Sequence, residues 1–167
     1  VQNSDKNAKV LKREFINKDP SLFGVKPFVV KFDINSEYFV EKKGDKYLFK
    51  LGDLIGPQME MQQEKKRILP LEAEFNRSYY RTIKIHIPEG YQISNLEDII
   101  IKNSYTTKDK ELFIFDSYYT LEGNILTVTA DEHYRETFVA PEIFEAYRTV
   151  INSAADFNKV TLILEPK

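Results

Sequence analysis

The chain has no cysteine. Disulfides, thiolate metal sites and a cysteine nucleophile are excluded together. No compartment follows, because a cysteine-free chain is at home inside or outside the cell. Histidine is scarce too: only His86 and His133 occur, and no Gly-x-Ser-x-Gly turn accompanies them. Serine hydrolysis, which needs an exposed nucleophile beside a base, has little to build on. Tryptophan is absent, and the six glycines are scattered. They form no glycine-rich cradle ahead of a helix, so no phosphate site or cofactor is expected. No apolar run nears the roughly 18 residues of a membrane helix. No signal peptide is visible in these residues. It begins at Val1 rather than methionine, which leads us to expect a piece processed or cut from something longer.

What is present is enough for a fold. Of 167 residues, 42% are hydrophobic and 30% charged, which suits one domain with a real core. Lys and Arg number 24 against 26 Asp and Glu, a formal charge of −2. That balance gives no general pull toward nucleic acid or acidic lipid, and without a long apolar run no membrane insertion is expected. The distribution is uneven. Residues 1–70 carry 14 basic and 10 acidic side chains; residues 71–167 carry 10 and 16. This describes two ordinary solvated surfaces, or one end facing an oppositely charged neighbour.

The period of the apolar positions is mostly two. Residues 1–8 are polar and expected to be flexible; residues 9–167 read as one β-rich domain, with a subdomain boundary at "KKRILP", 65–70. "KVLKREFI" reads as a strand, and "VKPFVVKFDI" sets Phe28, Val30, Phe32 and Ile34 on one face. "SEYFVEKKG" has two readings: a short helix near 37–43 capped by Ser36, which we favour, or a hairpin around "KKGD". "MEMQQEK" and "LEAEF" are expected as strands. "RTIKIHI", "IIIKNSYT", "ELFIFDSYYTL" and "ILTVTADEHYRETF" are long strands, the last three joined by short turns into an antiparallel meander. From Pro141 the period becomes helical: Phe144, Tyr147, Ile151 and Ala154 follow a three-four-three spacing. The expected fold is a mainly β, antiparallel β-sandwich with a C-terminal helix over about 141–156, followed by a final strand, "KVTLILE".

Candidate chemistry is thin. "DEH" could place Asp131 and His133 on one face of a strand, with Glu132 on the other, and any metal would need ligands from elsewhere. His86 lies among Thr82 and Lys84 on a polar face. Glu72 and Glu74, two apart on a strand, would stand roughly 7 Å from each other, a spacing compatible with sugar hydrolysis and equally with a solvated strand face. Two tyrosine pairs, Tyr79–Tyr80 beside Arg81 and Tyr118–Tyr119, should each turn one ring inward and one outward. The outward rings could bind a glycan or a peptide, or simply cover a sheet. Near the end, Asn152, Asp156 and Asn158 are residue types that cap helices and bond loop backbone. With Phe157 as a plug, they read as a structural clasp between helix and sheet.

Three stretches carry a resemblance. "EKKGDKYLFKLGDLIGPQMEM", "ILPLEAEFNRSYYRTIKIHIPEGYQISNL" and "FEAYRTVINSAADFNKVTLILE" resemble the C-terminal β-sandwich domain, of unknown function, of exported bacterial transglutaminase-like proteins. The resemblance covers about residues 36–165. It implies a noncatalytic accessory module that packs on upstream domains of a secreted or periplasmic parent. The family's catalytic core needs Cys, His and Asp, and no such residue can be carried onto this chain, which has no cysteine.

Overall fold

The computed structural model describes Asp5 and residues 7–167, so most of the segment expected to be flexible lies outside the described residues. The chain divides into two compact units, residues 1–41 and 42–167.

The first unit is built on an antiparallel pair, β1 (Lys9–Ile16) and β2 (Val29–Asn35), with a bulge between Val10 and Lys12. Register sorts its side chains. Glu14 opposes Lys31 and Lys12 opposes Asp33, which puts complementary charges on one face. The other face carries Phe15 opposite Val30 and Arg13 opposite Phe32. The Phe15 and Phe28 rings stack at 6.3 Å. That apolar face is open: Phe15, Phe28, Val30 and Phe32 are all between 43% and 52% exposed.

The favoured helix near 37–43 is not formed. Residues 37–39 turn, β3 runs Val40–Lys43, and β4 follows at Lys46–Phe49. The hairpin wins because its two-residue loop, Gly44-Asp45, has Gly44 at φ 66° in the first central position. That is the place a type II′ turn reserves for glycine. Ser36 caps no helix; its Oγ accepts from Tyr38 N at 3.3 Å and donates to Asp5.

The second unit is mainly β, as the alternation predicts. β6 (Arg77–His86), β8 (Ile101–Thr106), β9 (Glu111–Glu122) and β10 (Ile125–Tyr134) form an antiparallel sheet ordered β6-β10-β9-β8. The other four-stranded sheet is ordered β3-β4-β12-β7, with β7 at Tyr91–Ile93 and β12 at Leu162–Pro166. β5 (Leu71–Glu72) and β11 (Phe138–Val139) make a two-residue pair. One helix, α1 (Phe144–Phe157), packs on β8 and β9. Leu51, Phe113, Phe115, Leu126, Val128, Phe157 and Leu162, all fully buried, lie in one core drawn from both larger sheets and α1.

α1 starts three residues later than its sequence suggests. Ile143 has φ −105° and ψ 0°, and Ile143 N bonds back to Ala140 O, so Pro141–Ile143 is a turn that feeds the helix. Glu145, not Glu142, is then the acid in the first turn, where the helix end carries partial positive charge. The buried stripe is Phe144, Tyr147, Val150, Ala154 and Phe157, with Ile151 half-buried.

Two expected strands are shorter or absent. "LEAEF" is strand only at Leu71–Glu72; Glu74 lies in a bend, and Phe75 is 64% exposed. "MEMQQEK" is not a strand. Its backbone is held by a side chain: Asn152 Oδ1 accepts from Met61 N at 2.8 Å, and Asn152 Nδ2 donates to Met61 O at 3.2 Å. An amide that satisfies both groups of one residue does the work of a neighbouring strand there.

Candidate functional site

The joint between α1 and β12 is a fastening. Phe157 is fully buried, and its ring lies 5.8 Å from that of Phe115. Asn158 Nδ2 donates to Gly52 O at 2.8 Å and Gly56 O at 3.1 Å, and Gly52 N donates to Val160 O at 2.9 Å. The approach is close enough that a Cβ on Gly52 would collide with the Phe157 carbonyl oxygen and the Asn158 carbonyl carbon. Only glycine fits such a backbone contact. Asp156 stands outside this fastening; it pairs on the surface with Lys159 at 3.1 Å. Asn152 caps nothing and instead pins Met61. Together Asn152 and Asn158 hold the 52–61 segment against the end of α1.

That pinned segment forms one wall of a cleft of about 470 Å³. Ile55 to Met59 supply the wall, Ile151 of α1 adds an apolar patch, and the floor comes from β6 and β10. On β6 the residues Arg77, Tyr79 and Arg81 alternate onto the core-side face of the sheet. β10 faces them with Glu132, paired in register with Tyr79, and Tyr134, paired with Arg77.

The chemistry of the cleft is polar at depth. Arg81 Nη1 donates to Glu132 Oε2 at 2.9 Å, and Tyr134 OH donates to Glu132 Oε1 at 2.8 Å. The Glu132 side chain is 5% exposed and that of Arg81 17%. Burial first, and then the Glu132 charge, push the Tyr134 hydroxyl far above the ordinary phenol range. It therefore remains a proton donor. Arg77 Nη2 donates to Tyr147 OH at 3.0 Å, and its guanidinium lies 5.3 Å from the Tyr134 ring centroid. Among the described residues no carboxylate pairs with Arg77. The Arg81 guanidinium lies 4.8 Å from the centroid of the Tyr79 ring, a cation–π contact at the mouth of the cleft.

The residues singled out in the sequence are thus divided. Tyr79 and Arg81 share the cleft. Tyr80, 70% exposed, points to the opposite face because neighbours on a strand must, and Tyr118 lies on that same outer face. Tyr119 packs against the core. Arg77 and Tyr134 were missed, and Glu132 was weighed only within "DEH"; the alternation Arg77-x-Tyr79-x-Arg81 was the available signal. Glu72 is exposed on its short strand and Glu74 lies beyond the strand's end, so they do not share a strand face. His86 is exposed. His133 is buried with Nε2 2.8 Å from Glu111 Oε1, and its Nδ1 finds no partner among the described residues. No three His, Asp or Glu side chains gather as a metal site among the described residues. No helix among the described residues is long and apolar enough to cross a membrane.

Comparison with known proteins supplies a family. Residues 48–164 match the family described as a Domain of Unknown Function with solved-structure structure (DUF3858). In structure the chain is similar to a "putative protease" from Parabacteroides distasonis, with a TM-score of 0.52 and 14% identity over 73% of this chain. The chain spans 24% of that protein's length. No curated protein matches it.

Proposed function

The chain belongs to the DUF3858 family, a domain of unknown function whose fold is mainly β. We propose that it serves as a noncatalytic accessory module of an exported, transglutaminase- or protease-like protein, packing on or orienting a separate core. One observation carries this reading: the same fold makes up about a quarter of a longer chain bearing the name protease. Two features support it. The chain has no cysteine for a transglutaminase-like nucleophile. The first unit presents an open apolar face of Phe15, Phe28, Val30 and Phe32, a surface of the kind that marks contact with another protein part. Export comes from the resemblance to exported proteins.

The reading frame around Val1 is the first test. A signal sequence and a core with Cys, His and Asp are expected. Their absence would overturn the proposal. Within such a parent protein, deleting residues 42–167 should lower the melting temperature or the activity of the core. A core equally stable and active without them would also overturn it.

A second reading rests on the cleft. A module that binds glycan or peptide would use Tyr79 and Arg81, which the fold sets together beside a half-apolar wall.

A further inference from the structure

The charges in the cleft do not cancel. Arg77 and Arg81 bring two positive charges and Glu132 one negative, so the cleft carries a formal charge of +1. Most guanidinium donors are also unspent. Each arginine has five N–H groups. Arg81 uses Nη1 on Glu132, Arg77 uses Nη2 on Tyr147, and among the described residues neither side chain makes another hydrogen bond. The carboxylate present is already occupied, since Glu132 accepts from Arg81 on one oxygen and Tyr134 on the other. A second carboxylate would therefore find donors without displacing the first.

We propose that this cleft binds a peptide through one carboxylate, held by Arg77 and Arg81 on either side of Tyr79. The inference rests on the binding-module reading and names its ligand. The charge selects a monoanion. One carboxylate brings the cleft to neutrality, whereas a phosphate dianion would leave an excess negative charge beside the buried Glu132. A neutral glycan would leave the guanidinium donors facing a partner without charge. The walls select an organic body: Ile55, Pro57, Met59 and Ile151 offer aliphatic surface beside the charged floor. β6 is the outer strand of its sheet, so the cleft lies where an extended chain can run alongside a strand. The carboxylate can be a peptide C-terminus or an acidic side chain.

The test is fluorescence polarisation with labelled, N-blocked hexapeptides of alternating alanine and leucine, titrated with the full chain. One ends in a free carboxylate, one in an amide, and one in an amide with an internal glutamate. Binding of either acid-bearing peptide, weakened at least about tenfold in the all-amide peptide, is expected, since a charge-assisted hydrogen bond is worth about that factor. Arg77→Gln should weaken it similarly while still folding with a cooperative melt, and Tyr79→Ala should weaken it less. The acid-bearing peptide that binds more tightly identifies the source of the carboxylate. Equal binding of the all-amide peptide, sensitive to Tyr79→Ala, would overturn the carboxylate and leave a peptide-binding module. Inorganic phosphate competing better than acetate would overturn the monoanion preference. Binding of no peptide would overturn the inference, and with neutral oligosaccharides also inert it would remove the binding-module reading.

Discussion

One sheet face carries two different interiors. Over β8 and β9, α1 covers the sheet, and the contact is dry and aromatic: Phe113 meets Tyr147 edge to face at 5.2 Å, and Phe115 meets Phe157. Over β6 and the end of β10, the irregular 55–59 loop forms the wall, and the same face holds two arginines, a glutamate and two tyrosines. The strands share the same alternation. The cover differs. A helix brings a continuous apolar stripe that demands apolar partners. A loop held by two asparagines leaves a gap that water can enter, and charged groups can remain there because they stay paired or partly solvated.

Substitutions on the two sides should separate along that line. The largest effect is expected in the dry half, where Phe157→Ala should cost about 3–5 kcal/mol, because a fully buried ring is removed from a packed contact. Chemical denaturation measures it; an unchanged midpoint would mean that the two halves are equally loose. Glu132→Ala comes next, at about 2–3 kcal/mol. It leaves Arg81 and the Tyr134 hydroxyl without their acceptor, but water reaching Arg81 softens the loss. Glu132→Gln should cost less than Glu132→Ala, and equal costs would show that the charge, which both substitutions remove, outweighs the hydrogen bonding.

Between the halves stands Asn152. Its replacement by alanine removes both bonds to Met61 and should cost about 1–2 kcal/mol. Faster amide exchange confined to the 58–61 segment would identify the loosened wall. Exchange spread through α1 would instead place Asn152 in the helix's own stability.

The smallest effect lies at the surface pair Lys46–Glu165, 2.8 Å apart. The hydrogen bond from Lys46 holds the Glu165 carboxyl below its ordinary 4.5, and the Lys46 ammonium is raised above 10.5 by the same bond. A lowered acid contributes stability that is complete above its ordinary value and is lost as pH falls through the lowered one. A raised base contributes stability that is complete below its ordinary value and is lost as pH rises through the raised one. Glu165→Gln should therefore flatten the melting temperature on both limbs and change it little at neutral pH. A steep neutral-pH loss would show that this exposed pair matters more than such pairs do.

Local patterning made much of this fold readable. Strict alternation placed β6, β8, β9 and β10, because a half-buried strand has period two whatever it packs on. The apolar stripe from Phe144 revealed α1 for the same reason at period 3.6. Pattern failed where partners beyond the local segment decide the backbone. "MEMQQEK" alternates like a strand, yet Asn152, 91 residues away, satisfies its backbone. "SEYFVEKKG" holds local helix signals, and a glycine turn with a strand beside it overrode them.

The cleft shows the same division at the level of function. That Tyr79 and Arg81 share a face while Tyr80 does not follows from strand geometry, and so is already determined by the order of residues. That Glu132 and Tyr134 answer them, and that Arg77 meets no acid among the described residues, depends on the register of β10 against β6. That a loop rather than a helix covers them depends on Asn152 and Asn158 reaching back to residues about a hundred positions earlier. Alternation is a property of one strand, and the sequence carries it alone. Pairing and covering are properties of segments that meet only after the chain has folded.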